Sequence, residues 1–260
     1  MIPHSCAYQR MATDPLPSAF LRCLDEQEKF SAHVELRELS YRALPVGAGV
    51  DVGCGHGLAV AELTKRGIPA IGVDREVMVE AARQRFPNCD YRVAEATELP
   101  FSDGVMRWYR AARVYLHLRD PLGGLIEARR ILAPGGRIVT VDPDLDTIAL
   151  TSTDPYATRK LLDAFIDDLP SGRIGSRLPG LLAEAGFTDV TSSAYPVVHT
   201  DLERIRAVIP EQAAQVGLEA GLVTAAQAQA WLNDLQEHGI SKRFMCAYTA
   251  FVNVASVPIA

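Results

Sequence analysis

From about residue 49 to residue 141 the hydrophobic positions switch repeatedly between two rhythms. Short apolar runs at 49–52, 70–73, 91–94, 105–111 and 137–141 predict buried strands. Between them, helical spacing at 58–66, 76–86 and 122–132 predicts three helices, ended by Gly67, Pro87 and Pro134-Gly135-Gly136. Alternation of this kind builds βαβ units, hence an α/β fold with a mostly parallel sheet and helices on both faces. Right-handed crossovers restrict it to doubly wound arrangements. Ligands of such sheets sit outside the carboxyl ends of the strands.

The flanks read differently. Pro3, Pro15 and Pro17 predict a loosely ordered start up to about residue 15. Over 18–44 the apolar set Phe20, Leu21, Leu24, Phe30, Val34, Leu36, Leu39 and Leu44 is roughly helical in spacing, and Pro45 ends it. Residues 1–45 are thus expected to form an N-terminal helical cap segment. Residues 46–260 form one domain. Beyond Pro143, helices are expected at 156–169, 178–185, 202–208, 210–218 and 224–238, with Thr224 an N-cap. An alternating edge strand is expected at 189–198 and a last apolar strand at 244–254. The helices at about 200–240 read as an insertion, and no internal repeat occurs.

The stretch that orders the rest is Val50-Asp51-Val52-Gly53-Cys54-Gly55-His56-Gly57, where a strand stops at a glycine turn and feeds a helix. Backbone without Cβ lets a ligand come close, and the helix start offers unpaired N–H groups. A dinucleotide fingerprint needs a third glycine at Leu58 or Val60 and fails. The pattern that fits is D-x-G-x-G-x-G, which resembles the first motif of the class I S-adenosylmethionine-dependent methyltransferases. That resemblance implies that Gly53, Cys54, Gly55 and Gly57 admit the methionine part of the cofactor. It also implies that Asp51 holds the cofactor's ammonium, directly or through water; a buried carboxylate needs a charged partner.

Asp74, with Arg75 beside it, closes the second strand about twenty residues on, where a carboxylate can take both hydroxyls of a ribose. The bland alternative is an N-cap for the helix that begins at Glu76. Val93-Ala94-Glu95-Ala96-Thr97-Glu98-Leu99-Pro100-Phe101 resembles the family's x-D-A-x-x-L-P-F segment, so Glu95 or the backbone N–H of Ala96 would meet adenine. Glu stands there for the usual Asp, and a solvated surface Glu is the alternative. Arg113-Val114-Tyr115-Leu116-His117-Leu118-Arg119-Asp120-Pro121, and Arg129 to Arg137 after it, resemble the ubiquinone/menaquinone-biosynthesis branch. One departure is Met106-Arg107, where that branch has Phe-Asp.

Taken together, the resemblance implies a seven-stranded Rossmann-like sheet with an antiparallel closing hairpin and a helical cap over the substrate side. It implies S-adenosyl-L-methionine as cofactor and methyl transfer to O, N or C of a small molecule; the apolar and aromatic content of the N-terminal helices, of 143–180 and of the 200–240 insertion favours a hydrophobic or aromatic acceptor. Arg113 is expected at the cofactor. His117 is the candidate general base, against the alternative of a packed, hydrogen-bonded histidine. His199 is a second such candidate. Tyr8, Tyr41, Tyr115, Tyr156 and Trp231 line the substrate pocket or belong to the core.

Charge and composition then remove other classes. A net charge of −6 argues against nucleic acid as a partner. Five dispersed cysteines without C-x-x-C spacing and scattered histidines predict neither a disulfide frame nor a metal site. No signal pattern and no membrane-spanning apolar run appears, so a cytoplasmic protein with no membrane partner is expected. Two alternatives stay open. One is an NAD-dependent oxidoreductase, weakened because the only Y-x-x-x-K pair, Tyr156 and Lys160, falls beyond the fifth strand. The other is a protein that binds S-adenosylmethionine but catalyses something other than methylation.

Overall fold

A computed structural model of the protein describes residues 25–259. Helical residues 25–29 lead into α1 (Ser31–Arg42). Then follow β1 (Gly49–Val52), α2 (Leu58–Lys65), β2 (Ala70–Asp74), α3 (Glu76–Arg85), β3 (Asp90–Val93) and β4 (Met106–Ala112). A 3₁₀ turn at Tyr115–His117 precedes α4 (Pro121–Ile131) and β5 (Leu132–Leu150). The rest comprises α5 (Pro155–Asp168), α6 (Leu178–Glu184), β6 (Thr188–His199), α7 (Pro210–Glu219), α8 (Ala225–Ile240) and β7 (Cys246–Ser256). The expected calls on residues 1–24, including Tyr8, Cys6, Cys23, Phe20, Leu21 and Leu24, lie outside the described residues.

These elements form one seven-stranded sheet in the order β3-β2-β1-β4-β5-β7-β6. The first five strands run parallel, and β7 is antiparallel to both neighbours, so β6 and β7 make the closing hairpin. The strand order reverses between β1 and β4, and a ligand crevice is expected at their carboxyl ends. Local chemistry sets the helix starts. Asp120 and Asp154 each accept the N–H three residues on, from Gly123 and Ala157, with proline at the next position. Thr224 and Gln227 form a full capping box on α8.

Two elements depart from the expected pattern. The fifth strand is far longer than 137–141 because β7 pairs along most of it. Gly135 donates to the Val257 carbonyl (3.0 Å) and Val257 to that of Gly136 (2.8 Å), which draws the Pro-Gly-Gly turn into the sheet. The helix expected at 202–208 shrinks to a 3₁₀ turn at Leu202–Arg204 followed by single turns. Pro210 then takes the first position of α7, where its missing N–H costs nothing. The inserted helix α7 packs on α5 and α8. Among the described residues no helix is long and apolar enough to cross a membrane.

Candidate functional site

The glycine turn departs from β1 with three residues at positive φ, Gly53 (67°), Gly55 (55°) and Gly57 (90°). They are glycines for different reasons. A Cβ on Gly53 would lie 2.3 Å from Val114 Cγ2, and one on Gly57 would lie 2.4 Å from the Tyr91 hydroxyl. Both are packing requirements. On Gly55 a Cβ would meet only Met78 Cε, at 3.8 Å, so this residue leaves space for a ligand against bare backbone.

Asp74 holds that turn from β2. One carboxylate oxygen accepts the Gly55 N–H and the other accepts the Arg75 N–H, both at 2.8 Å. A carboxylate offers about four acceptor positions, so one on each oxygen is left for a vicinal diol. Burial pushes the Asp74 carboxyl up to about 6, against the pull of the two N–H donors. Its bland role is not seen: Arg75 is the N-cap of α3 and no side chain caps that helix. The cradle therefore fits an adenosyl group on two counts, an open glycine backbone and a diol-ready carboxylate.

Asp51 is deeply buried and lines the same cavity, yet its charge is matched inside the protein. It pairs across the sheet with Arg110 of β4, its register partner. Burial pushes the Asp51 carboxyl upward and the guanidinium pulls it back. Arg110 also donates to Ser40 Oγ of α1 (2.8 Å) and lies over the Tyr41 ring. The charged partner expected of a buried Asp51 is thus already present within the protein, while its carboxylate still lines the cavity where the cofactor's ammonium is expected. Arg110 had a signal, a lone cation in the apolar run Trp108-Tyr109-Arg110-Ala111.

The other expected cofactor residues divide into two sets. Cys54 and Arg113 line the cavity. Burial pushes the Cys54 thiol well up, so it stays protonated. Arg113 has a left-handed backbone (φ 60°), donates its N–H to the Val141 carbonyl (2.7 Å), and reaches Gln27 on the N-terminal helical residues. Glu95 and Ala96 lie beyond the carboxyl end of β3, next to Asp74, and are not in the cavity wall. Glu95 is exposed, the alternative anticipated for it, while Ala96 is packed in the core.

His56, between two of the glycines, was not singled out by its sequence. It is buried in contact with Arg85, and Asp25 and Glu28 lie 3.5 Å from its Nε2. Burial and the Arg85 charge push its imidazole down to about 4. It is therefore neutral at pH 7, and its contacts with the two acids are not ion pairs then. Asp25, Glu28 and His56 converge closely enough to hold a cation, and the Arg85 guanidinium already supplies one there. This cluster fastens helical residues 25–29 over the glycine turn.

One cavity of about 240 Å³ runs from Gly53 and Gly55 toward the cap. Its far wall is apolar, with Val141 and Leu145 of β5, Phe165 of α5, and Ile205 and Ile209 of the insertion. His117 opens on it, half-buried, its imidazole pushed by burial down to about 3. Asp142, fully buried and pushed by burial up to about 8, accepts the Leu116 N–H (3.2 Å) and anchors the turn that carries His117.

The aromatic candidates are elsewhere. Tyr41 donates to Glu62 (2.9 Å), Tyr115 bonds Tyr109 inside the core, and Trp231 donates to Thr158 (2.9 Å). Tyr156 is 88% exposed. The aromatic groups at the cavity are instead Phe165, Tyr248 and the imidazoles of His33, His56, His117 and His199. Nothing in the spacing of residues 33, 199 and 248 announced their meeting.

Comparison with known proteins agrees with this geometry. A family profile described as "Methyltransferase domain" matches residues 50–140. A protein of Streptomyces fradiae, described as an uncharacterized 37.1 kDa protein in transposon TN4556, is 33% identical over 222 residues, 82% of this chain and 63% of that one. The demethylmenaquinone methyltransferase of Beutenbergia cavernae is 31% identical over 120 residues, 45% of each chain. The chain thus spans less than two thirds of the length of these relatives. Among solved structures, the [4+2]-cyclase SpnF is similar in fold, with a TM-score of 0.52 and 20% identity, covering 87% of this chain and 81% of that one.

Proposed function

We propose, for a chain whose residues 50–140 are a class I S-adenosylmethionine-dependent methyltransferase domain, that it methylates a small, largely apolar acceptor. The observation that carries this reading is the single cavity that joins the open backbone at Gly55 to the apolar wall of Val141, Leu145, Phe165, Ile205 and Ile209. Bound in that cradle, the cofactor supplies an electrophilic methyl group on a sulfonium.

The protein's part is placement. Asp74 takes the ribose hydroxyls, Gly55 and the neighbouring Cys54 leave room for the methionine end, and Arg113 holds helical residues 25–29 down as a cover that excludes water. The wall of the cap orients the acceptor; holding two reactants in line supplies much of the rate enhancement of such transfers. His117 faces the acceptor as a neutral hydrogen-bond partner, since burial makes its imidazole too weak a base to hold a proton near pH 7. With helical residues 25–29, α1 and the insertion at about 200–240 lining the cavity, the acceptor is a small molecule, and the acidic chain offers no broad surface for nucleic acid. The free thiols of Cys54 and Cys246 suit the cytoplasm.

Calorimetric titration with S-adenosylhomocysteine and, separately, NADH tests the reading. Binding of the former alone is expected, and binding of NADH alone would overturn it. The likeness to a cyclase favours one second reading, a cofactor held without methyl loss. Release of S-adenosylhomocysteine on turnover with an acceptor separates methylation from that alternative.

A further inference from the structure

His199 is 3% exposed, lines the cavity, and neither ring nitrogen has a hydrogen-bond partner among the described residues. A buried polar group left unpaired costs about 1–3 kcal/mol, so in a ligand site it points to what the ligand brings. Phe30 stacks on the ring at 4.2 Å and fixes its plane. His33 and Tyr248 stand beside it, their ring centroids 6.2 Å and 6.0 Å away. The surroundings are apolar: Leu36, Val141, Val197 and Ala250.

The hydrogen positions at this cluster follow from its partners. His33 Nδ1 lies 2.9 Å from the Gln27 carbonyl, which only accepts, so Nδ1 carries the proton. Its Nε2 is then an acceptor, and the 3.3 Å bond to Tyr248 must use the phenol's hydrogen. The Tyr248 oxygen is left facing the cavity as an acceptor. Burial pushes the imidazole of His33 down to about 3 and that of His199 to about 4, so both are neutral at pH 7. His199 therefore presents one donor and one acceptor, and Tyr248 presents an acceptor.

We propose that His199 and Tyr248, with Tyr248 oriented by His33, form a recognition site for a neutral hydroxyl on an otherwise apolar acceptor, an alcohol or a phenol. Only a group that both donates and accepts matches the set. A carboxylate can meet the Arg113 charge nearby, but it has no hydrogen for the Tyr248 oxygen and leaves that acceptor unpaired. An ammonium cannot accept from His199 and would face the Arg113 charge nearby. The site rests on reading the cavity as the acceptor's, and it deepens that reading to a hydroxyl-bearing substrate class.

The probes are 2-naphthol, naphthalene and 2-naphthoate, titrated into the full chain with and without saturating S-adenosylhomocysteine. Naphthalene is the more hydrophobic of the first two, so burial alone favours it. The wild type is expected to bind 2-naphthol about tenfold more tightly than naphthalene, the effect of one well-matched hydrogen-bonding group, and more tightly than 2-naphthoate. In His199→Leu and Tyr248→Phe the preference for 2-naphthol over naphthalene should vanish, with S-adenosylhomocysteine affinity within about twofold of wild type. Equal binding of 2-naphthol and naphthalene by the wild type, tightest binding of 2-naphthoate, or a preference that survives in His199→Leu overturns the proposal. The wild-type comparison does not depend on any variant folding. A wild type that ignores S-adenosylhomocysteine but keeps the 2-naphthol preference defeats the methyltransferase reading and leaves the hydroxyl site standing.

Discussion

At the cofactor end Asp51 and His56 in the cavity wall, and Asp74 bonded to Gly55 beside them, each have a protein partner already, whereas at the acceptor end His199 has none among the described residues. The first end is pre-organised: Arg110 balances Asp51, backbone N–H groups hold Asp74, and Arg85 bonds the neutral His56 before any ligand arrives. The second keeps a polar group in reserve inside an apolar wall. Damage to the first should therefore appear partly as loss of stability, and damage to the second mainly as loss of ligand discrimination.

The largest effect should come from Arg110. Arg110→Met leaves Asp51 buried and unpaired, and removing one partner of a buried ion pair destabilises by about 3–5 kcal/mol. Adding Asp51→Leu to it should recover most of that loss, because a well-packed apolar pair of similar volume is often neutral. Urea unfolding of the two variants checks this. A double variant as unstable as the single one would show that Asp51 serves the fold by something other than its pairing with Arg110.

The glycines sharpen the contrast within a single motif. Gly55→Val adds side-chain atoms where the turn leaves open space, at a φ that β-branched residues avoid. It should lower S-adenosylhomocysteine affinity by about a hundredfold or more, the loss of the close backbone approach. Gly57→Ala instead drives a methyl into the Tyr91 hydroxyl, and overpacking of that sort costs about 1–3 kcal/mol of stability. Thermal unfolding and calorimetry on both variants distinguish the two failures. Equal affinity losses with unchanged melting would mean that both glycines face the ligand.

Such differences mark what could be read in advance. The turn was legible because a ligand that approaches backbone needs glycines a fixed number of residues apart on one continuous stretch. Asp74 was legible because strand length fixes its distance from Gly53. Arg110 was missed as a partner of Asp51 because burial demands a counter-charge without saying whether it comes from a ligand or from the neighbouring strand. His33, His199 and Tyr248 come from α1, β6 and β7, and only the hairpin's place beside β5 brings them together. The long β5 escaped notice because its pairing with β7 overrode the Pro-Gly-Gly break.

Asp74 ties cofactor binding to pH. With its carboxyl at about 6, affinity for S-adenosylhomocysteine should be flat above pH 7 and fall as the pH drops through 6, where the added proton removes an acceptor position. Asp74→Asn should bind about tenfold or more weakly, since hydrogen bonds to charged groups are worth about 1.5–3 kcal/mol, and should lose the pH dependence. The same shift works on the ligand-free fold. The folded state holds this proton more tightly than the unfolded chain does, so the group's contribution to stability falls as pH rises from 3.8 to about 6 and then levels off. A binding profile that stays flat down to pH 5 would remove Asp74 from the ribose.

The smallest effect belongs to Glu95, the residue that family resemblance assigned to adenine. Its side chain is exposed beside Asp74 on the open rim of the sheet, and its backbone pairs with Glu98 in an isolated bridge. A solvated carboxylate gains little from a ligand edge that water can satisfy as well, and surface substitutions away from special features stay within about 0.5 kcal/mol. Glu95→Gln should accordingly change S-adenosylhomocysteine affinity by no more than about twofold. A loss of tenfold or more in calorimetry would show that the rim folds over the adenine when ligand binds. The cofactor end would then be only half pre-organised, with the glycine turn and Asp74 fixed beforehand and the base held by residues that close upon it.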